Sequence, residues 1–301
     1  MNKAAFVAIA GAPNVGKSTF LNEAVGSKIS IVSPKVQTTR TTLKGIYNLD
    51  ETQLVFVDTP GIFVPKRTLE EAIVNTAWMG IQGIDLLLLV VDAVRGICDD
   101  TQHIIDRLKD LKVKPILLIN KKDLVTKEKL KRLIEEYQQL DFFKDILAIS
   151  ALRNDGVKEL LAHLSNEAPV HEWYFPEDQL TTSSARLLAS EITREKLFLN
   201  LSDELPYNLT VETETWEEKK DGSIKINQVI FVARSTHKQI ILGSSGNMIK
   251  KVGILAREEI EKLLECKIHL FLFVKVREDW FNDPERYKYL EMQAPNKKKK
   301  K

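Results

Sequence analysis

The stretch Gly11-Ala12-Pro13-Asn14-Val15-Gly16-Lys17-Ser18 constrains this chain more than any other. It follows Phe6–Ala10, a short apolar run that reads as a buried strand, and it opens a helix predicted over Ser18–Val25. Strand, glycine loop and helix N-terminus in that order build an anion site, because backbone N–H groups and the positive helix end converge on one point. The spacing G-x-x-x-x-G-K-S is the phosphate-loop pattern. In it Lys17 reaches the β- and γ-phosphates and the Ser18 hydroxyl holds Mg²⁺.

Over residues 5–165 short apolar strands alternate with amphipathic helices. Strands are predicted over Phe6–Ala10, Leu43–Tyr47, Gln53–Asp58, Asp85–Asp92, Pro115–Asn120 and Asp145–Ser150. Helices are predicted over Ser18–Val25, Leu69–Ile81, Thr101–Leu108, Lys127–Leu140 and Gly156–Leu164. Such alternation predicts an α/β fold: a mainly parallel six-stranded sheet with helices on both faces. The second and third strands are close enough for a hairpin, so that pair is predicted antiparallel. Ligands bind such sheets beyond the carboxyl ends of the strands.

Three further motifs end strands, and all of them can share the site of the phosphate loop. Asp58-Thr59-Pro60-Gly61 places a carboxylate where it can hold Mg²⁺ through water, and a glycine whose N–H can meet a γ-phosphate. Asn120-Lys121-Lys122-Asp123 offers a carboxylate for the N1–H and exocyclic amine of guanine. Asn120 can brace the loop, and the Lys121 stem can cover the base plane. Ser150-Ala151-Leu152 brings backbone N–H groups that can meet the guanine oxygen. Each is unremarkable alone; their fixed order favours a guanine nucleotide, GTP or GDP, over an adenine one.

From Ser183 the pattern changes. A helix over Ser184–Asn200 precedes strands over Leu209–Trp216 and Ile224–Ala233. An apolar run then leads into Gly243-Ser244-Ser245-Gly246, followed by a helix over Ile254–Leu264 and a strand over Ile268–Val276. A G-x-x-G loop in an α-β-β-α-α-β order is the signature of a KH domain, whose loop clamps a nucleic-acid backbone. The RNA-binding set is Ile241, Gly243, Ser244, Ser245, Gly246, Ile249, Lys250 and Lys251. Ser244 and Ser245 carry no charge, so phosphate contact there leans on N–H groups and hydroxyls, with Lys250 and Lys251 supplying charge.

Composition excludes several alternatives. No apolar run approaches the ~18 residues of a membrane-spanning helix. Met1-Asn2-Lys3 runs straight into the first strand, so no signal peptide is expected. Cys98 and Cys266 form no metal pattern and fit a reducing cytosol. Residues 183–301 hold 22 basic against 18 acidic residues, five of the basic ones being Lys297–Lys301. Charge alone therefore does not argue for nucleic acid.

The motif constellation resembles the translation-factor-like P-loop GTPases, and within them the TrmE–Era group. The resemblance rests on Asn14 in the phosphate loop, on Gln37-Thr38-Thr39-Arg40 before D-T-P-G, and on Ile62 after Gly61. The second half resembles the type II KH domain of that group. It does so through Glu204-Leu205-Pro206-Tyr207, Ala189-Ser190-Glu191-Ile192 and Lys275-Val276-Arg277 with Trp280. The resemblance implies a GTPase domain over 1–168, a linker over 169–182, a KH domain over 183–290 and a basic, disordered tail over 291–301. It implies Mg²⁺ held by Ser18, Asp58 and a threonine, Thr38 or Thr39 with Thr39 favoured, and a potassium ion held by Asn14. Lys17, Thr39 and Gly61 form the expected catalytic set. Ile62 stands where many GTPases carry a water-orienting glutamine, so slow hydrolysis is expected. The implied partner is the 3′ end of small-subunit ribosomal RNA, during assembly of the 30S subunit. The implied location is the cytoplasm, with peripheral membrane contact, and the implied state is a monomer. Rival readings are an RNA-binding scaffold with a structural nucleotide and a GTPase whose KH-like domain binds protein.

Overall fold

A computed structural model of the chain describes residues 1–35, 38–65, 68–278 and 280. Gln37, Arg67 and the 291–301 tail lie outside these. The chain divides into two compact units. Among the described residues the first comprises 1–30, 39–65 and 68–182, the second 31–35, 38, 183–278 and 280.

The first unit contains β1 (Lys3–Ala10), α1 (Lys17–Val25), β2 (Leu43–Leu49), β3 (Thr52–Asp58), α2 (Thr68–Met79), β4 (Leu86–Asp92), α3 (Asp99–Asp110), β5 (Ile116–Asn120), α4 (Lys127–Gln138), β6 (Ile146–Ala148) and α5 (Val157–Glu167). The sheet order is β2-β3-β1-β4-β5-β6. All pairings are parallel except the β2–β3 hairpin. Every residue of β3, β4 and β5 is buried, which requires cover on both sheet faces. That burial explains why these strands are continuous apolar runs, and why the polar residues that end them, Asp58, Asp92 and Asn120, stand out. β6 is shorter than the predicted 145–150. Only Ile146–Ala148 pairs with β5 before the chain turns at Ser150.

The aromatic stretch after α5 folds back on this unit. Trp173 Nε1 donates to the Glu51 carbonyl at 3.0 Å, and Tyr174 packs on Phe6 with ring centroids 4.6 Å apart. The Gln53 amide oxygen accepts the N–H groups of both Tyr174 and Phe175. These contacts dock the linker on the first unit.

The second unit contains α6 (Ala185–Asn200), β7 (Leu209–Glu218), β8 (Ile224–Val232), α7 (Ser235–Leu242), α8 (Asn247–Leu264) and β9 (Ile268–Val276). β7 pairs antiparallel with β8, and β8 parallel with β9. α8 is longer than predicted and begins at the G-x-x-G loop, seven residues before Ile254. Gly246, in the left-handed region at φ 79°, starts it, and the i, i+4 stripe Val252, Ala256, Ile260 is fully buried. Residues 31–38 group with α6. Val32 N–H donates to Glu195 Oε1 at 2.8 Å, and the Lys35 ammonium donates to the carbonyls of Phe198 and Leu201. The buried Arg194 guanidinium binds both the Glu191 carboxylate and the Thr38 carbonyl.

Candidate functional site

Gly16 ends the phosphate loop in the left-handed region, at φ 98°, and a Cβ there would lie 2.2 Å from Asn120 Nδ2. Only glycine satisfies both demands. Lys17 follows as the first residue of α1 and is buried. Its ammonium donates to the carbonyls of Gly11 and Ala12, each at 3.0 Å. Burial pulls its pKa down to about 8, against the opposing pull of the Asp58 charge. The lysine is thus held at the loop, over carbonyl dipoles weaker than the phosphate oxygens it can take.

Four oxygen-bearing side chains meet beside it. Ser18 Oγ donates to Asp58 Oδ2 at 2.7 Å and lies 2.9 Å from Thr39 Oγ1. Ser30 Oγ also donates to Asp58 Oδ2, at 3.1 Å. Burial raises the Asp58 pKa, while Lys17 and the two serine hydroxyls oppose the rise. The other carboxylate oxygen, Oδ1, is buried without a hydrogen-bond partner. An orphaned carboxylate oxygen beside two hydroxyls is a hard-oxygen set that fits Mg²⁺ and its waters. The structure brings Thr39 to Ser18. Thr38 instead donates its hydroxyl to the Lys35 carbonyl at 2.6 Å.

In D-T-P-G-I, Thr59 Oγ1 donates to the Ile9 carbonyl at 2.8 Å and Ile62 N–H donates to the Gly11 carbonyl at 3.1 Å. Thr59, Pro60 and Ile62 are buried. They fasten this loop to the end of β1 and to the phosphate loop, with Gly61 half-buried between them. The Ile62 side chain lies wholly in the core.

Asn120 joins three loops. Its Nδ2 donates to the Val15 carbonyl at 2.9 Å, and its Oδ1 accepts Ala151 N–H at 3.0 Å. Lys121, at φ 63°, sends its ammonium to the Asn14 carbonyl and to Asp92 Oδ2, both at 2.7 Å. Lys122 pairs with Asp155 at 2.9 Å, and Asp123 is exposed in the short turn Lys122–Leu124. Asn14, on the facing loop, is also exposed. Ser150 and Ala151 hold the adjoining turn, and both amides are engaged, with the Asp155 carbonyl and with Asn120. Of the N–H groups of Ser150-Ala151-Leu152 expected at the guanine oxygen, those of Ser150 and Ala151 thus bond within the protein in this structure. Asp92 escapes motif reading; its only sequence signal is a carboxylate closing the apolar run Leu86–Val91.

In the second unit the G-x-x-G loop joins α7 to α8. Gly243 has φ 73°, and a Cβ there would lie 2.7 Å from Met248 Cβ. Ser244, Ser245, Lys250 and Lys251 are exposed, and Ile249 is half-buried. Ile241 departs from the set: its side chain is fully buried and packs in the core with Val252, leaving none of it at the surface.

Two family models match this architecture, a 50S ribosome-binding GTPase over residues 6–122 and a KH domain over residues 204–281. GTPase Era of Mesorhizobium japonicum is 51% identical, over 97% of this chain and 94% of its own. The chain belongs to the Era family of GTPases. The Brucella suis Era is 48% identical over the same shares. Two solved structures of the family superpose on nearly the whole chain at 36% identity. One is an alanine variant of Aquifex aeolicus Era bound to GDP and aluminium fluoride, with TM-score 0.91 over 96% of this chain and 98% of that one. The other is Era with MgGDPNP and nucleotides 1506–1542 of 16S ribosomal RNA, with TM-score 0.92 over 96% and 99%. Membership of this family also fixes the fold class, a P-loop GTPase domain followed by a KH domain.

Proposed function

We propose that this Era-family GTPase binds GTP with Mg²⁺ at the loops beyond β1, β3 and β5, hydrolyses it slowly, and binds the 3′ end of small-subunit ribosomal RNA through its KH domain during 30S assembly. The observation that carries the nucleotide half is the meeting of Ser18, Thr39 and Asp58 beside Lys17, with Asp58 Oδ1 left without a partner. Ser18, Thr39 and Asp58 would hold Mg²⁺, which when bound neutralises phosphate charge. Lys17 and the loop amides hold the β- and γ-phosphates, and Gly61 N–H meets the γ-phosphate. Asp123 reads the guanine edge while Asn120 keeps its loop against the phosphate loop. Asn14 is the residue to hold a potassium ion. With Ile62 buried, water must be positioned by other groups, so turnover is slow. Exposed Lys250 and Lys251 attract an RNA backbone to the loop at Gly243–Gly246.

The division of the chain supports coupling of the two activities. Thr39 belongs to the first unit and the residues before it, Ile31–Thr38, to the second. Movement of Thr39 with the γ-phosphate would reach α6 along the chain. The domain limits 1–168, 169–182, 183–290 and 291–301 remain part of this reading, as does a monomer in the cytoplasm with peripheral membrane contact. Among the described residues no helix is long and apolar enough to cross a membrane. The test is GTP turnover with Mg²⁺ and K⁺, with and without small subunits, joined to crosslinking and RNA sequencing in the GTP and GDP states. Crosslinks at the 3′ end that depend on the nucleotide are expected. Absence of turnover in every condition would leave only a scaffold, and a lack of RNA crosslinks around Gly243–Lys251 would point to a protein partner.

A further inference from the structure

Asp92 closes β4, a strand whose other residues are Leu86-Leu87-Leu88-Leu89-Val90-Val91. It is the strand's one ionisable residue, and its side chain is only 7% exposed. Placing a carboxylate there costs desolvation, and each oxygen has a separate partner that offsets it. Oδ1 accepts Val94 N–H at 2.8 Å, closing the turn that leaves the strand. Oδ2 accepts the Lys121 ammonium at 2.7 Å. The first bond does not require a charge: an asparagine oxygen closes such turns equally well. The second does, because its partner is a cation.

The Lys121 ammonium is anchored a second time, on the Asn14 carbonyl at 2.7 Å. Asn14 lies 107 residues away in the phosphate loop, and Asp92 lies 29 residues away on the neighbouring strand. β4 and β5 run parallel with Asp92 opposite Asn120, so the carboxylate stands beside the start of the base-recognition loop. Ala93 N–H donates to the Asn120 carbonyl at 2.9 Å, which fixes that register. The loop after β4 touches the phosphate loop once more, through Arg95 Nη1 and the Pro13 carbonyl at 3.4 Å. A lysine stem fixed at both ends has few rotamers left, and it bridges the base loop and the phosphate loop.

We propose that Asp92 is a positioning residue for nucleotide binding: it fixes the Lys121 ammonium on the Asn14 carbonyl, so that the lysine stem is already in place as the wall on which the guanine lies. This rests on the guanine-nucleotide reading of the site. Pre-ordering the stem removes an entropy loss that binding would otherwise carry, and tying Asn14 down keeps the phosphate loop open for its ligand. Lys121 is the group that touches the base; Asp92 acts only through it.

The test measures dissociation of fluorescently labelled GDP from the full chain by stopped flow, with steady-state KM and kcat for GTP. Asp92→Asn keeps the shape and the bond to Val94 and removes the charge. GDP release is expected to rise about tenfold, the scale of one charge-assisted hydrogen bond. KM for GTP should rise by a larger factor than kcat falls, since the γ-phosphate contacts are untouched. Lys121→Met, which keeps most of the stem but not the ammonium, supplies the second arm. In that background Asp92→Asn should have no further effect. An unchanged release rate in Asp92→Asn would overturn the proposal. So would an equal penalty in both backgrounds, because Asp92 would then act through the Val94 turn. Should Asp92→Asn not fold, Asp92→Glu shifts the acceptor by one methylene while keeping its charge, and unchanged GDP release there overturns the proposal as well. Wild-type chain that bound no GDP would instead refute the nucleotide reading beneath it.

Discussion

Replacing Asn120 by alanine tests whether the nucleotide site is held together by one amide. Asn120, Val15 and Ala151 are each no more than 2% exposed, so neither partner of the side chain can turn to water. Alanine leaves the Val15 carbonyl and the Ala151 N–H buried and unpaired. Each such group costs about 1–3 kcal/mol, which puts the loss at about 2–6 kcal/mol. A water entering the vacated space would satisfy both groups in part and bring the loss to the lower end of that range. Against a typical stability of about 5–15 kcal/mol, this is a large share. Amide exchange of β1 and β5 peptides across a urea series reports this unit alone, without the second unit's transition. The expected result is a midpoint lowered by the equivalent of at least about 2 kcal/mol, with GDP binding weakened beyond about thirtyfold. Asn120→Asp sharpens the test. Its Oδ1 still accepts from Ala151, but a carboxylate oxygen would face the Val15 carbonyl, where protonation alone restores a donor. Its deficit should therefore shrink as pH falls. A loss below about 1 kcal/mol in Asn120→Ala would refute the view that this amide fastens the loops together.

Affinity for GDP should fall as pH rises through about 8, where unliganded Lys17 loses its proton. Lys17 binds phosphate as the cation, so a complex formed above that pKa must first take up a proton; calorimetric affinities at pH 9 should be about tenfold weaker than at pH 7, and Lys17→Met should flatten the profile. Asp123→Asn should shift preference from guanine to xanthine nucleotides in competition binding, because the amide donates where the carboxylate accepted; unchanged preference would remove Asp123 from base recognition. Replacing Lys250 and Lys251 together with alanine should weaken single-stranded RNA binding and reduce the slope of log K against log salt by about 1.4, with GTP turnover in the absence of RNA as the control.

The sheet is legible in the sequence because β3, β4 and β5 are buried on both faces, so each reads as an apolar run that stops at a polar residue. The motifs at those stops are short and local, which makes the loops at Gly11–Ser18, Asp58–Gly61 and Asn120–Asp123 readable without coordinates. Helix α8 is less legible. Its first turn and a half, Asn247–Lys251, carries exposed lysines over a half-buried Ile249, and the buried stripe emerges only from Val252. Ile241 misled for the opposite reason: neighbours of a G-x-x-G loop read as groove residues, but a helix of eight residues must also give side chains to the core. Asp92 was invisible because its function depends on Lys121 across a parallel strand pair, and single-sequence spacing carries no information on that register.

Ile62 shows why the missing glutamine is not a simple vacancy in the mechanism. Its N–H is fixed on the Gly11 carbonyl at 3.1 Å, and its side chain is in the core with Val15 and Ala12. The backbone bond ties the D-T-P-G loop to the phosphate loop, and the apolar side chain is spent on the core rather than on water. A glutamine at 62 would have to bury its amide without partners or leave the core. The position thus serves packing at the loop, and the proposed slow turnover follows from the missing water-orienting group. On the proposed function, hydrolysis would then be set by whatever adds positive charge and orders water at the loop. Asn14, the residue proposed above to hold a potassium ion, is exposed on that loop with its backbone carbonyl tied to Lys121. Pre-ordering of the base side by Asp92 and Lys121 acts on the lifetime of the bound state from the other end of the nucleotide: it would slow GDP release, and Asp92→Asn should therefore shorten that lifetime whatever the hydrolysis rate.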